Sequence, residues 1–293
     1  MIVQRQFAVE PWSVRETSLD LEHIAQAESV FALANGHIGL RGNLEEGEPF
    51  GVLGTYLNGV FEVRPLPYAE AGYGFPELGQ TVVNVHDGKV IRLLVGDEPL
   101  DVRHGRLRRH ERVLDLRDGV LRRTVEWEST GGCAVRVTST RLVSFTQRAI
   151  AATEYCVEVL DGPGRVAVQS ELVANEPADT TDVDPRAGAA LRDPLVAEAH
   201  ERYDHSVVLV HRTRTSGLRV GAAMTHEVEG PHDADLDLDV LEDLGRLTIT
   251  ADLEPGQRLR IVKFVSHGWS SVRSLPAMRA QVAGALAEVA CDV

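Results

Sequence analysis

An all-β protein, built as a large sandwich or barrel, is what the sequence predicts. Three observations carry this: apolar and polar residues alternate with period two over most of the chain, Val, Thr and Ile crowd the alternating runs, and turn dipeptides separate them. In residues 120–129 Leu121, Val125 and Trp127 point one way, and Arg122, Thr124, Glu126 and Glu128 the other. Cys133, Val135, Val137, Val143 and Phe145 share a face in the next run, and Tyr155, Val157 and Val159 in the one after. Further strands are expected over 164–174, 206–213, 218–228, 245–253 and 257–268. Asn58-Gly59, Asp87-Gly88, Asp118-Gly119 and Asp161-Gly162 read as hairpin turns, with the runs flanking Asp87-Gly88 forming a hairpin. So many strands at short spacing suit a sandwich or barrel.

Two stretches break the alternation. Residues 64–80 carry Pro65, Pro67 and Pro76 with Tyr68, Tyr73 and Phe75, and read as a long irregular loop of the kind that serves binding or an interface. Residues 175–203 are rich in Pro, Asp and Ala and read as a second loop excursion with a helical turn. At the C-terminus Ser274 suits an N-cap and Pro276 the first turn, and Met278, Val282, Leu286 and Val289 recur at helical spacing. Such a helix either packs on the sheet or leads into another domain. The absence of a stop signal favours the second.

Composition narrows the function classes. A net charge of −14 opposes binding to nucleic acid, and Arg103, Arg106, Arg108 and Arg109 read as the solvent face of a strand. Cys133, Cys156 and Cys291 are odd in number and lack C-x-x-C spacing, which argues against a disulfide framework or a zinc site. No secretory leader, membrane span or Asn-x-Ser/Thr sequon is legible, so a cytoplasmic location is expected. The eleven histidines, His37 and His86 among them, are scattered and read as structural. Trp12 and Trp127 are expected in the core, and Trp269 near the helix. Glu45, Glu46 and Glu48 read as a solvated acidic turn.

The densest motif is Glu28–Gly42, ESVFALANGHIGLRG, read physically as a strand, a tight turn and a second strand entering the core. It matches no phosphate-loop pattern. The segment resembles the N-terminal signature of glycoside hydrolase family 65, and the resemblance continues through TYLNGVFEV (55–63), TVVNVHDGKVIRLLVGDEPLDV (81–102), RVLDLRDGVLRRTVEWES (112–129) and VRVTSTRLVSFTQRAIAATEY (135–155). It implies an antiparallel β-super-sandwich of the galactose-mutarotase kind over 1–273, then over 274–293 a linker helix toward an (α/α)6 barrel. The barrel would hold the general acid, so no catalytic residue, metal or cofactor is expected here, and inorganic phosphate would be a co-substrate of the parent enzyme. The expected partners are that barrel, an α-linked disaccharide and a second copy in a homodimer. Tyr68, Tyr73 and Phe75 are the candidate substrate-contacting residues. The implied role is to brace the barrel, with the isolated chain inactive. The rival readings are a free-standing carbohydrate-binding module and a mutarotase-like enzyme, which needs His and Glu side chains converging in a groove.

Overall fold

In the computed structural model, which describes residues 7–66, 74–176, 192–203 and 206–290, the alternating runs become long antiparallel strands. The first half contains β1 (Ala8–Glu10), β2 (Ser13–Glu16), helix α1 (Ile24–Val30), β3 (Leu33–Ala34), β4 (Ile38–Leu40), β5 (Thr55–Leu57), β6 (Phe61–Pro65), β7 (Leu78–Val82), β8 (Ile91–Val95) and β9 (Glu98–Pro99). The long strands follow: β10 (Arg106–Asp115), β11 (Val120–Glu128), β12 (Ala134–Val143), β13 (Ile150–Asp161) and β14 (Gly164–Val173). The remainder comprises β15 (Leu195–Tyr203), β16 (Ser206–Thr213), β17 (Arg219–Glu229), β18 (Asp235–Val240), β19 (Leu244–Leu253), β20 (Arg258–Ser270) and helix α2 (Leu275–Ala290).

Ten strands form one sheet in the order β1-β2-β10-β11-β12-β13-β20-β17-β16-β15. A five-stranded sheet, β18-β19-β14-β8-β9, lies against it. The main core fills the space between them. Val125 and Trp127 of β11, Val135 and Val137 of β12, and Tyr155, Val157 and Val159 of β13 meet Leu93, Val168 and Ile249 from the smaller sheet. This is the super-sandwich expected from the alternation, since each strand buries one face and wets the other.

A second core joins the large sheet to α1 and to a three-stranded sheet, β3-β4-β5. Its centre is Phe31, which meets Phe7 edge-on with ring centroids 5.6 Å apart. A third lies outside the large sheet, where Met278, Val282 and Leu286 of α2 cover Val208, Val210, Ala223 and Phe264. That explains why β16 reads Val207-Val208-Leu209-Val210 without alternation: one face meets the sandwich core and the other the helix. Of the two covers expected for the helix, the sheet is the one observed. Ser274 caps it, accepting from the Ala277 amide at 3.4 Å.

Several local expectations are corrected. Asp118-Gly119 closes the β10–β11 hairpin, but Asn58-Gly59 and Asp161-Gly162 carry the chain between sheets. Asp87-Gly88 closes no hairpin either: β7 pairs with β6 and β8 with β14, while Asp87 bridges to Val173. The start of the Glu28–Gly42 motif is the end of helix α1 rather than a strand. The stretch read as a loop to 203 ends in edge strand β15, in which only Leu195 is buried, so there is little alternation to see. Phe145 lies beyond the end of β12 and is exposed. Trp12, at 61% exposure, is a surface residue with the Arg117 guanidinium over its ring.

Trp127 is fully buried and donates its indole N–H to the His104 carbonyl at 2.7 Å. Trp127→Ala should lower unfolding free energy by about 3–5 kcal/mol, read from urea denaturation monitored by circular dichroism, because a large cavity and an unpaired carbonyl result.

Candidate functional site

Along the inward faces of the long strands, apolar side chains give way to polar ones at one level of the sandwich. Arg112, Arg123, Ser139, Arg141 and Lys263 all sit below 5% exposure. Register aligns them: Arg112 faces Arg123, Arg123 faces Ser139, Arg141 faces Thr153, and Thr153 faces Lys263. The belt they form lies between the main core and the core around Phe31.

The segment after the glycine-rich motif crosses this belt. Glu45 and Glu46, at 2% and 5% exposure, are buried acids and not a solvated turn. Arg123 donates to Glu45 at 2.9 Å and to both oxygens of Glu46 at 2.6 and 2.7 Å. Arg141 donates to Glu45 at 2.9 Å and to the Asn43 carbonyl at 3.2 Å, and the Ser139 hydroxyl donates to Glu45 at 2.9 Å. Burial alone would raise the Glu45 pKa, but Arg141 and Arg123 outweigh it and hold that carboxyl at about 2. Arg112, stacked 4.7 Å over the Phe31 ring, donates to Glu16 at 2.6 Å and to the Gly42 carbonyl at 2.9 Å. Glu28 accepts from the Gly51 and Val52 amides at 2.9 and 2.8 Å. Glycine is required at position 42, because a Cβ there would come within 2.6 Å of the Phe31 Cβ.

Next to the belt three imidazoles converge. His86 Nε2 and His211 Nδ1 are 2.8 Å apart, and His211 Nε2 lies 2.8 Å from Asp243 Oδ1. His211 donates to the carboxylate, so its Nδ1 accepts from His86 Nε2–H, and His86 Nδ1 is left buried without a partner. His267 is the third ring. Burial lowers the pKa of all three, that of His267 to about 4. A mutarotase-like site needs such groups in a groove, whereas these rings are 0–2% exposed and belong to the core.

Beside this framework the outward face of β3-β4-β5 floors a groove of about 500 Å3. Asn35 fixes its rim: the side-chain oxygen accepts from the His37 and Ile38 amides at 2.9 and 2.8 Å, and the amide nitrogen donates to the Ser144 and Arg148 carbonyls at 2.6 and 3.0 Å. Asn58 closes the other side, its backbone N–H donating to the His37 carbonyl at 2.9 Å while its own carbonyl accepts from Trp269 Nε1 at 2.9 Å. Phe61, Gln80 and Val82 of the β6–β7 hairpin make one wall. Glu62 anchors this hairpin, accepting from the Thr215 and Ser216 amides at 3.0 Å each.

The proline-rich stretch therefore lies between the two strands of a hairpin that Glu62 anchors beside the groove. Tyr68 and Tyr73 lie outside the described residues, and Phe75, three residues before the start of β7, is 54% exposed. His37, Tyr56, Asn58 and Gln80, the polar residues in the groove, were not among the predicted contacts. Their signal was in the sequence as Asn-Gly turns flanking an alternating strand pair. Among the described residues no three His, Cys, Asp or Glu side chains are arranged to hold a metal, and no helix is long and apolar enough to cross a membrane.

The model of the glycosyl hydrolase family 65 N-terminal domain matches residues 14–292. An uncharacterized glycosyl hydrolase of Mycobacterium tuberculosis is 59% identical over 286 residues, 98% of this chain but 36% of the relative's length. The α,α-trehalose phosphorylase of Thermoanaerobacter brockii is 30% identical, covering 89% of this chain and 34% of its own length. Among solved structures, a human-microbiome protein whose kojibiose phosphorylase activity is itself only proposed superposes with a TM-score of 0.86 at 20% identity, covering 98% of this chain and 36% of that one. This chain thus spans about a third of the length of the curated relatives it matches.

Two outcomes test this framework. Arg123→Ala should cost about 3–5 kcal/mol of unfolding free energy in urea titrations, because it strands Glu46 as a buried unpaired charge. Stability should also fall as pH drops from about 6.5 to 5. The folded-state pKa values of His86, His211 and His267 lie below the unfolded value, so the unfolded chain takes up more protons in that window. Glu176, raised to about 8 by burial and the Asp87 charge, opposes with one proton of the other sign. The check is urea midpoints at pH 7, 6 and 5, with the midpoint falling at each step.

Proposed function

Because the chain belongs to glycosyl hydrolase family 65, as its N-terminal domain, we propose that it is the non-catalytic part of an inverting enzyme that cleaves α-linked glucosyl disaccharides. One observation carries the non-catalytic half of this reading. Among the described residues the fully buried carboxylates Glu16, Glu28, Glu45, Glu46, Glu62, Asp87 and Glu171 are all committed to arginine, lysine or backbone N–H partners. An inverting acid–base pair needs two carboxyl groups about 6.5–9.5 Å apart with room between them for a sugar and its attacking group. Side chains locked into such bonds below 6% exposure leave no room for a sugar, and Glu176, which burial and the Asp87 charge keep protonated, spends its proton on a hydrogen bond to Asp87.

On this reading residues 1–273 form the supporting domain and 274–293 lead toward a catalytic (α/α)6 barrel in the same polypeptide. On the same reading the loop carrying Tyr68, Tyr73 and Phe75, which joins β6 to β7, meets the mouth of the barrel's active site or a dimer interface. Inorganic phosphate is the attacking group, in keeping with the trehalose, maltose and kojibiose phosphorylases among the relatives. A cytoplasmic location agrees with the sequence pI near 5.2 and with free Cys133 and Cys156.

The test is release of glucose 1-phosphate from maltose, trehalose and kojibiose with inorganic phosphate. The chain alone should give none. Mixed with the separately produced catalytic portion of the Mycobacterium tuberculosis relative, it should raise turnover above that of the portion alone. Turnover by the chain alone would place the chemistry within these residues.

A further inference from the structure

The groove over β3-β4-β5 has features that the framework does not require. Gly39 is in the central strand of this small sheet, between Ala34 of β3 and Tyr56 of β5. Its backbone is in an ordinary conformation, and a Cβ added there would meet nothing within 4 Å. Glycine in a strand interior weakens the strand, and where neither φ nor packing demands it, the remaining reason is close approach of something from outside. The contrast with Gly42, where Phe31 leaves no room, is clear along one strand end.

The chemistry of the lining is equally specific. None of the groove residues is Asp, Glu, Lys or Arg, although 25% of the chain is charged. His37 is half-buried, burial and Arg148 lower its pKa, and its ring takes part in no hydrogen bond among the described residues. The Gln80 amide likewise makes none. The walls thus offer apolar surface, the aromatic rings of Tyr56 and Phe61, and uncharged donors and acceptors on a floor kept bare. No lining residue offers a charged ligand a counter-ion; Arg148 and Arg41 act on His37 and Tyr56 from outside the lining. A pyranose, with apolar C–H faces and a rim of hydroxyls, matches both kinds of surface. A volume of about 500 Å3 is enough for a disaccharide.

We propose that this groove is a non-catalytic binding site for a neutral α-glucoside. One sugar ring lies over Gly39 against Tyr56, and His37 and Gln80 hydrogen-bond its hydroxyls. The choice of an α-glucoside rests on the family reading, whereas the choice of an uncharged, hydroxyl-bearing ligand rests on the groove alone.

Saturation-transfer NMR and calorimetric titration of the 293-residue chain with maltose, trehalose and kojibiose test it. At least one disaccharide should bind with a Kd of the order of millimolar. Gly39→Val should weaken that binding about tenfold or more while melting at or above the wild-type temperature, since valine suits a strand and has space. His37→Ala should weaken binding at an unchanged melting temperature, which keeps the test decisive if Gly39→Val folds poorly. No saturation transfer from any of the three at ~20 mM overturns the proposal, as does binding that both variants retain. A chain that binds no sugar yet activates the catalytic portion overturns the groove assignment and leaves the domain reading standing. A chain that binds sugar through His37 and Gly39 but activates nothing does the reverse.

Discussion

Everything on the functional side of this molecule depends on two adjacent glutamates held inside the sandwich by two arginines. Glu45 and Glu46 would be expensive to bury alone, and Arg123 and Arg141 offset that cost only because geometry is good and Ser139 and the Asn43 carbonyl satisfy further valences. In exchange, the segment leaving β4 is tied to one place on the inner face of the large sheet. The Glu45 carbonyl accepts from the Ile91 amide at 2.7 Å, which ties the same segment to the smaller sheet. An apolar segment could have filled the space, but it would not have fixed register so narrowly. The polar belt also separates two hydrophobic cores, so α1 and β3-β4-β5 ride on the sandwich as a defined unit.

From that unit the groove follows. Asn35 and Asn58 use side-chain and backbone groups to hold the His37 turn, and Trp269 at the end of β20 braces Asn58. Glu62 ties the β6–β7 hairpin to the turn between β16 and β17. Helix α2 is packed against the opposite face of the large sheet from the main core, which leaves the groove side open.

Much of the fold was legible because half-buried strands advertise themselves. The runs in β11, β12 and β13 alternate over nine to twelve residues, and their inward positions are the ones found buried. Strand β18 was missed because its alternation sets Leu against Asp in so acidic a stretch that it reads as loop. The polar belt was illegible for a different reason. Arg123 follows Leu121 on the inward face, but charge normally signals solvent, and only the arrival of Glu45 and Glu46 from about 78 positions away makes that position tolerable. Asp87-Gly88 failed as a turn on similar grounds: its aspartate is buried against Lys89, and its glycine makes room for Val265. The family signature located the important segment, yet its role as a plug across the belt needed coordinates.

The measurement that most directly tests this account is amide hydrogen exchange on the chain alone and joined to its catalytic portion as one polypeptide. Joining should add protection at the His37 turn and along the β6–β7 hairpin, while amides around Glu45, Arg123 and Arg141 exchange equally slowly in both. Added protection confined to the outer face of the five-stranded sheet, with the hairpin unchanged, would contradict the proposal that the β6–β7 loop meets the catalytic portion.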